Sequence, residues 1–175
     1  MASAHTHSPR DPALELYAAV RSAAQPRERR RELAAQVARY VGAVSILLVG
    51  AVHAQQYYEA YFSVVPTIGT LFLLSFVGAG VVGVALLAPV RLLGRRLGDV
   101  ILALAALSAI GIALGTLVSL LISEYTPLFG FMESGYRLAI VLTLLFDGLT
   151  TAFLGVFLLL VGPNLIHALA TERRT

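Results

Sequence analysis

The sequence predicts an all-α bundle of four membrane-crossing helices, and three observations carry that expectation. Four mainly apolar windows, about 40–60, 67–90, 98–122 and 138–162, stand in the chain. Each supplies the roughly 20 residues that a helix, rising about 1.5 Å per residue, needs to cross ~30 Å of hydrocarbon. The hydrophobic fraction is 58%, the mean hydropathy +0.81 and the charged fraction 13%, half of the ~25% usual in soluble domains. Finally, the 13 basic residues are all Arg, and only Arg137 falls outside the segments that share one side when every window crosses.

That asymmetry sets an expected orientation. Arg10, Arg21, Arg27, Arg29, Arg30, Arg31 and Arg39 precede the first span, Arg91, Arg95 and Arg96 lie between spans two and three, and Arg173 and Arg174 follow span four. Positive loops stay cytoplasmic. Both termini are therefore expected inside a bacterial cytoplasmic membrane, with the 61–66 and 123–137 loops outside. The formal charge of +3 then reflects topology, with Arg27, Arg29, Arg30 and Arg31 placed to meet anionic lipid headgroups. It does not point to nucleic acid as a partner. The chain has no Cys, which excludes disulfide exchange and thiolate metal sites. A cleaved leader ending at Val52-His53-Ala54 is disfavoured, because about forty residues, the last of them charged and helical, precede it.

The elements follow in order. Residues 1–38 form a basic tail; Asp11-Pro12 is a helix-start signal, opening a short amphipathic helix over Leu14, Leu16, Tyr17 and Val20 that is expected to end near Pro26. The run Arg27-Glu28-Arg29-Arg30-Arg31-Glu32 then leads into span one, which closes in His53, Gln55, Gln56, Tyr57, Tyr58, Glu59 and Tyr61, an interfacial belt. Pro66 opens span two, since proline costs least in a first turn. Span two stops before Pro89, Arg91 to Arg96 make a short turn, and Gly162-Pro163-Asn164 ends or kinks span four. A short helix over 165–174 is expected beyond it, within a C-terminal tail of 164–175.

Chemistry has few places to sit. Span four carries Thr143, Asp147, Thr151 and Gly155 at i+4 spacing, expected to turn inward, where small residues allow close approach and polar groups find partners. Span three has Ser108, Gly111, Gly115, Ser119 and Ser123, and span two Ser75, Ala79 and Gly83. Gly111, Gly115, Ala79, Gly83 and Gly155 are read as helix-packing positions, so Gly111→Leu or Gly115→Leu is expected to disrupt assembly. Ser45, Val49, His53 and Gln56 share a face of span one, and His53 and Asp147 differ in depth by only ~5 Å. A carboxylate near mid-membrane costs about 2.5–3.5 kcal/mol even on the mildest scale unless paired, hydrated or protonated. Asp147, His53, Gln56, Thr151 and Ser119 are thus the candidate ligand- or proton-binding group. The plainer reading makes Asp147 a structural hydrogen-bonding anchor. Glu133, Tyr136 and Arg137 form a second polar group at the outer mouth.

No cofactor is predicted. Two axial ligands on facing helices would be needed for low-spin haem, yet His53 and His167 fall at opposite ends, and His5 and His7 lie in the tail. No metal site is predicted either.

The string His53, Tyr57, Tyr61, then Val65-Pro66-Thr67-Ile68-Gly69-Thr70-Leu71-Phe72-Leu73-Leu74, together with Gly130-Phe131-Met132-Glu133, resembles a group of small bacterial four-helix membrane proteins with no assigned activity. Val65 stands where the group's pattern has Ile, and Asp147 where it often has Glu. The resemblance implies the same bundle over residues 40–162 and groups His53, Glu133 and Asp147 in one motif set.

Three functions are carried forward from the sequence. The first is a non-enzymatic accessory or interaction subunit that meets itself or another membrane protein through its small-residue faces. The second is a small transporter or proton-coupled binding protein built on Asp147 and His53. The third is a quinone- or lipid-binding membrane oxidoreductase.

Overall fold

A computed structural model of the chain describes the backbone of residues 12–59, 62–64, 66–127 and 138–172, and the side chains of 25–59, 63–64, 67–127 and 138–163. It contains four helices: α1 Pro12–Glu59, α2 Pro66–Leu87, α3 Arg95–Tyr125 and α4 Leu138–Glu172. Short 3-10 turns occupy Phe62–Val64 and Val90–Leu93, and no strand occurs among the described residues. All four helices are long and apolar enough to cross a membrane. Their outer faces expose Leu74, Val81 and Val84 on α2, Leu104 and Leu107 on α3, and Leu159 on α4, a surface suited to hydrocarbon. The chain is a multi-pass membrane protein.

Two prolines act differently from expectation. The helix expected to end near Pro26 does not end there, and α1 runs unbroken from Pro12 to Glu59 with Pro26 inside it. An interior proline costs about 3 kcal/mol, and here it stands where residues 25–30 are exposed. Pro163 likewise sits inside α4, which continues to Glu172 instead of giving way to a separate helix. Pro163 has no N–H for the Leu159 carbonyl. Next to that gap, Arg31 Nη2 donates to the Leu160 carbonyl at 2.9 Å and ties α1 to α4.

Pro66 and Pro89 behave as their chemistry dictates. The first opens α2, and α2 ends at Leu87, two residues before the second. The reversal from α2 to α3 then depends on two glycines. Gly94 has φ +111°, a backbone region nearly closed to residues with a Cβ. A Cβ on Gly98 would lie 2.7 Å from the Arg91 Cα, so no side chain fits where the turn folds onto α3. Arg91 Nε donates to Asp99 Oδ1 at 2.8 Å across the turn, though both side chains are partly solvent-exposed and such pairs contribute little. Gly94→Ala should therefore lower stability by roughly 1–3 kcal/mol through strain alone. Thermal unfolding in detergent checks this, and an unchanged midpoint would contradict it.

In the bundle α1 packs against α2 and α4, and α3 packs against the same two. The two ends of this ring are packed differently. At the end that carries Arg31, Arg91 and Arg96, the interior is filled by Ala38, Ala43, Ile46 and Val49 of α1, Ala79 and Leu86 of α2, Leu102, Ala105, Ala106 and Ala109 of α3, and Leu154 and Phe157 of α4. Hydrocarbon gives no hydrophobic drive for helices to associate, so alanine and glycine matter here for the close backbone approach they permit. A Cβ on Gly42 would overlap the Leu154 side chain, and one on Gly83 would lie 2.6 Å from Leu47. Toward the opposite end, where α1 gives way to α2, the packing opens.

Candidate functional site

The opening is a cavity of about 410 Å³ bordered by all four helices. From α1 come His53 and Gln56; from α2, Ile68, Leu71, Phe72, Leu74 and Ser75; from α3, Gly111, Ile112, Gly115, Thr116, Ser119, Leu120 and Ser123; and from α4, Ala139, Ile140 and Thr143. Among the described residues, no Arg, Asp or Glu lines it. Its volume falls within the roughly 300–1,000 Å³ typical of small-molecule sites.

His53 reaches the cavity from a buried face of α1, one turn beyond Val49. Its Nδ1 lies 2.9 Å from the Val49 carbonyl. A carbonyl only accepts, so Nδ1 is the protonated nitrogen. In the neutral ring, Nε2 is then left as an acceptor. His53 is 7% exposed, and its ring tilts against Phe72 with 5.2 Å between ring centroids.

Asp147 is 1% exposed and lies one helical turn below Thr143, beneath the cavity floor. Thr116 Oγ1 is 2.5 Å from Asp147 Oδ2 and 2.9 Å from the Ala113 carbonyl. One hydroxyl proton cannot serve both acceptors fully. The Thr116 hydroxyl is thus shared between the Asp147 carboxyl, which it approaches more closely, and the Ala113 carbonyl of its own helix. The carboxyl's other oxygen, Oδ1, has no partner among the described groups, and neither does Thr150 Oγ1 one turn further along α4. Thr116 thus both borders the cavity and bonds the buried acid.

The structure regroups the residues expected from sequence. His53, Gln56 and Ser119 all line the cavity. Asp147 is bonded to Thr116, and His53 is bonded to its own helix backbone. Thr151 is only partly buried, and the threonine that shares the buried face with Asp147 is Thr150. Helical geometry explains the difference. Four residues advance 400°, so a strict i+4 series drifts by about 40° per step, and Thr151 has turned some 80° away from Thr143. Alternating steps of four and three stay inward: Thr143, Asp147, Thr150, Leu154 and Phe157 are all buried.

The glycines expected to pack helices divide in two. Ala79 is fully buried and Gly83 closes on Leu47. A Cβ on Gly111, Gly115 or Gly155 meets nothing within 4 Å. Gly111 and Gly115 border the cavity instead, because the inward face of α3 runs through Leu102, Ala106, Ala109 and Ala113. The close contacts of α1 come from Gly42 and Gly50, which the sequence analysis did not single out. Glu133, Tyr136 and Arg137 lie outside the described residues. Among the described residues, no three His, Asp or Glu side chains gather as metal ligands would.

No protein family, curated protein or solved structure matches the chain. The functional reading therefore rests on this chain's own residues and their geometry.

Proposed function

We propose that this protein is a small-molecule-binding subunit of the bacterial inner membrane, non-enzymatic and accessory to a partner or to further copies of itself, with both termini cytoplasmic. The observation that carries the reading is the four-helix cavity with His53 on its wall and Thr116 on its floor. Gly111 and Gly115 border this cavity, with no atom of the same chain within 4 Å of where a Cβ would stand. The orientation rests on the arginines, all but one of which fall on one side of the four spans. The resemblance noted above adds that His53 and Asp147 belong to one motif set.

Native mass spectrometry of the intact protein in mild detergent, with an absorption spectrum, tests the reading. A retained small molecule is the expected result. A bare chain or bare oligomer from several mild detergents would count against it. Asp147→Asn keeps the size and polarity of the buried group, so the variant should fold and still retain the molecule.

A second reading, a proton-coupled transporter, is favoured by one observation: Asp147 Oδ1 is buried without a partner beside an unpartnered Thr150 hydroxyl. It predicts that Asp147→Asn folds normally but loses substrate-linked proton uptake in liposomes. Retained uptake in that variant would dispose of it.

A further inference from the structure

We infer that the ligand is a neutral single-chain amphiphile with a hydroxyl head, that it enters the cavity from the bilayer between α2 and α3, and that the hydroxyl donates to His53 Nε2. The inference rests on the binding reading above and names its ligand class.

The head follows from hydrogen-bond complementarity. Val49 fixes Nδ1 of His53 as the donor nitrogen, so the buried imidazole can offer a ligand only an acceptor while it is neutral. The hydrogen bond described for the ring is the one from Nδ1 to Val49, and His53 borders the cavity, so Nε2 is the nitrogen left to face a ligand there. Nearby, Gln56, Ser119 and Thr143 supply the amide and hydroxyl groups that can satisfy the remaining lone pairs of a ligand hydroxyl. Among the described residues the lining carries no Arg, Asp or Glu to neutralise a charged head, and a buried unpaired charge is strongly disfavoured.

The tail and the route follow from the wall. Leu71 and Leu74 border the cavity yet are 41% and 63% exposed, so the cavity reaches the outer surface along α2. On the facing helix, Gly111 and Gly115 present no side chain and have open space where one would stand. The flank between α2 and α3 is therefore a slot that an alkyl or isoprenoid chain can occupy while its head turns inward. At about 410 Å³ the cavity holds the head and the first part of a chain, and the remainder stays in lipid. Two sources share this chemistry, a monoacylglycerol and a quinol with an apolar tail.

The full chain in nanodiscs, incubated separately with monooleoylglycerol, decyl-benzoquinol and oleate and read by native mass spectrometry, tests the inference. Retention of either neutral probe supports it, and which one is retained identifies the source. Gly115→Leu should reduce that retention at least tenfold by filling the slot, whereas Gly148→Leu, at an exposed α4 position with open space at its Cβ, should leave it unchanged. His53→Phe keeps a ring against Phe72 but removes the acceptor, and should weaken binding roughly two- to tenfold. Retention of oleate alone, or of a co-purified water-soluble molecule unaffected by Gly115→Leu, overturns the ligand class and leaves the binding reading standing. Retention of no probe and no co-purified mass overturns both.

Discussion

Gly42→Leu should prevent the bundle from assembling into a detergent-stable monodisperse species. A single Cβ at this position already overlaps Leu154 of α4, a fully buried residue, and a leucine adds three more carbons. Overpacking of a filled core usually costs about 1–3 kcal/mol and sometimes more, and here the clash involves a side chain with no exposed surface to move into. The alternative to local strain is separation of α1 from α4 along the length that also carries the Arg31 to Leu160 bond. Gly42→Ala should already be measurably destabilised. The matched change Gly155→Ala, also at a glycine but with nothing within 4 Å of the added carbon, should be close to neutral. Size-exclusion profiles and thermal unfolding of the three variants read this directly. Equal behaviour at positions 42 and 155 would mean that α1 and α4 do not meet as described.

Thr116→Val should destabilise the bundle, and adding Asp147→Leu should recover part of the loss. Valine nearly matches threonine in shape, so the single change removes one hydroxyl and leaves Asp147, with Oδ1 already unpartnered, lacking any bond from its neighbours. Stranding a buried polar group costs about 1–3 kcal/mol, whereas replacing both partners with apolar groups can be nearly neutral. Interhelical hydrogen bonds in membranes average only about 0.6 kcal/mol and reach about 1.7, so a coupling energy near that upper value is expected for a pair 2.5 Å apart. Urea or SDS titration of the four members of the double-mutant cycle measures it. A coupling indistinguishable from zero would mean that Thr116 and Asp147 do not share a proton.

Much of the fold was legible because bilayer physics restricts the choices. Apolar length, the first-turn Pro66 and the stop before Pro89 all depend on local chemistry that the sequence displays. The effects of Pro26 and Pro163 were harder to read, because whether a proline ends a helix depends on what satisfies the carbonyl it frees. At Pro26 the helix surface is exposed, and beside Pro163 an arginine 129 positions earlier in the chain than Leu160, Arg31, supplies a donor to the Leu160 carbonyl. Asp147 and His53 were legible as polar residues in apolar spans. The Thr116 partner was not, because Thr116 lies between the small-residue positions that drew attention and its role appears only once α3 and α4 are set at a fixed rotation. The same rotation, a matter of some 40° per four residues, decides that Thr150 is buried and Thr151 is not. It also leaves Gly111 and Gly115 on the border of the cavity, with no other helix of the same chain against them. Gly42 and Gly50 carry no polar label at all, and a glycine in an apolar helix reveals its purpose only through the side chain it admits, here Leu154 and Ala79.

The cavity is the central claim, and a density map of the full chain purified with its native lipid tests it most directly. The account predicts non-protein density bounded by His53, Thr116 and Gly115, continuing outward between α2 and α3. A map in which α2 closes onto Gly111 and Gly115, leaving no space between them and His53, would contradict it.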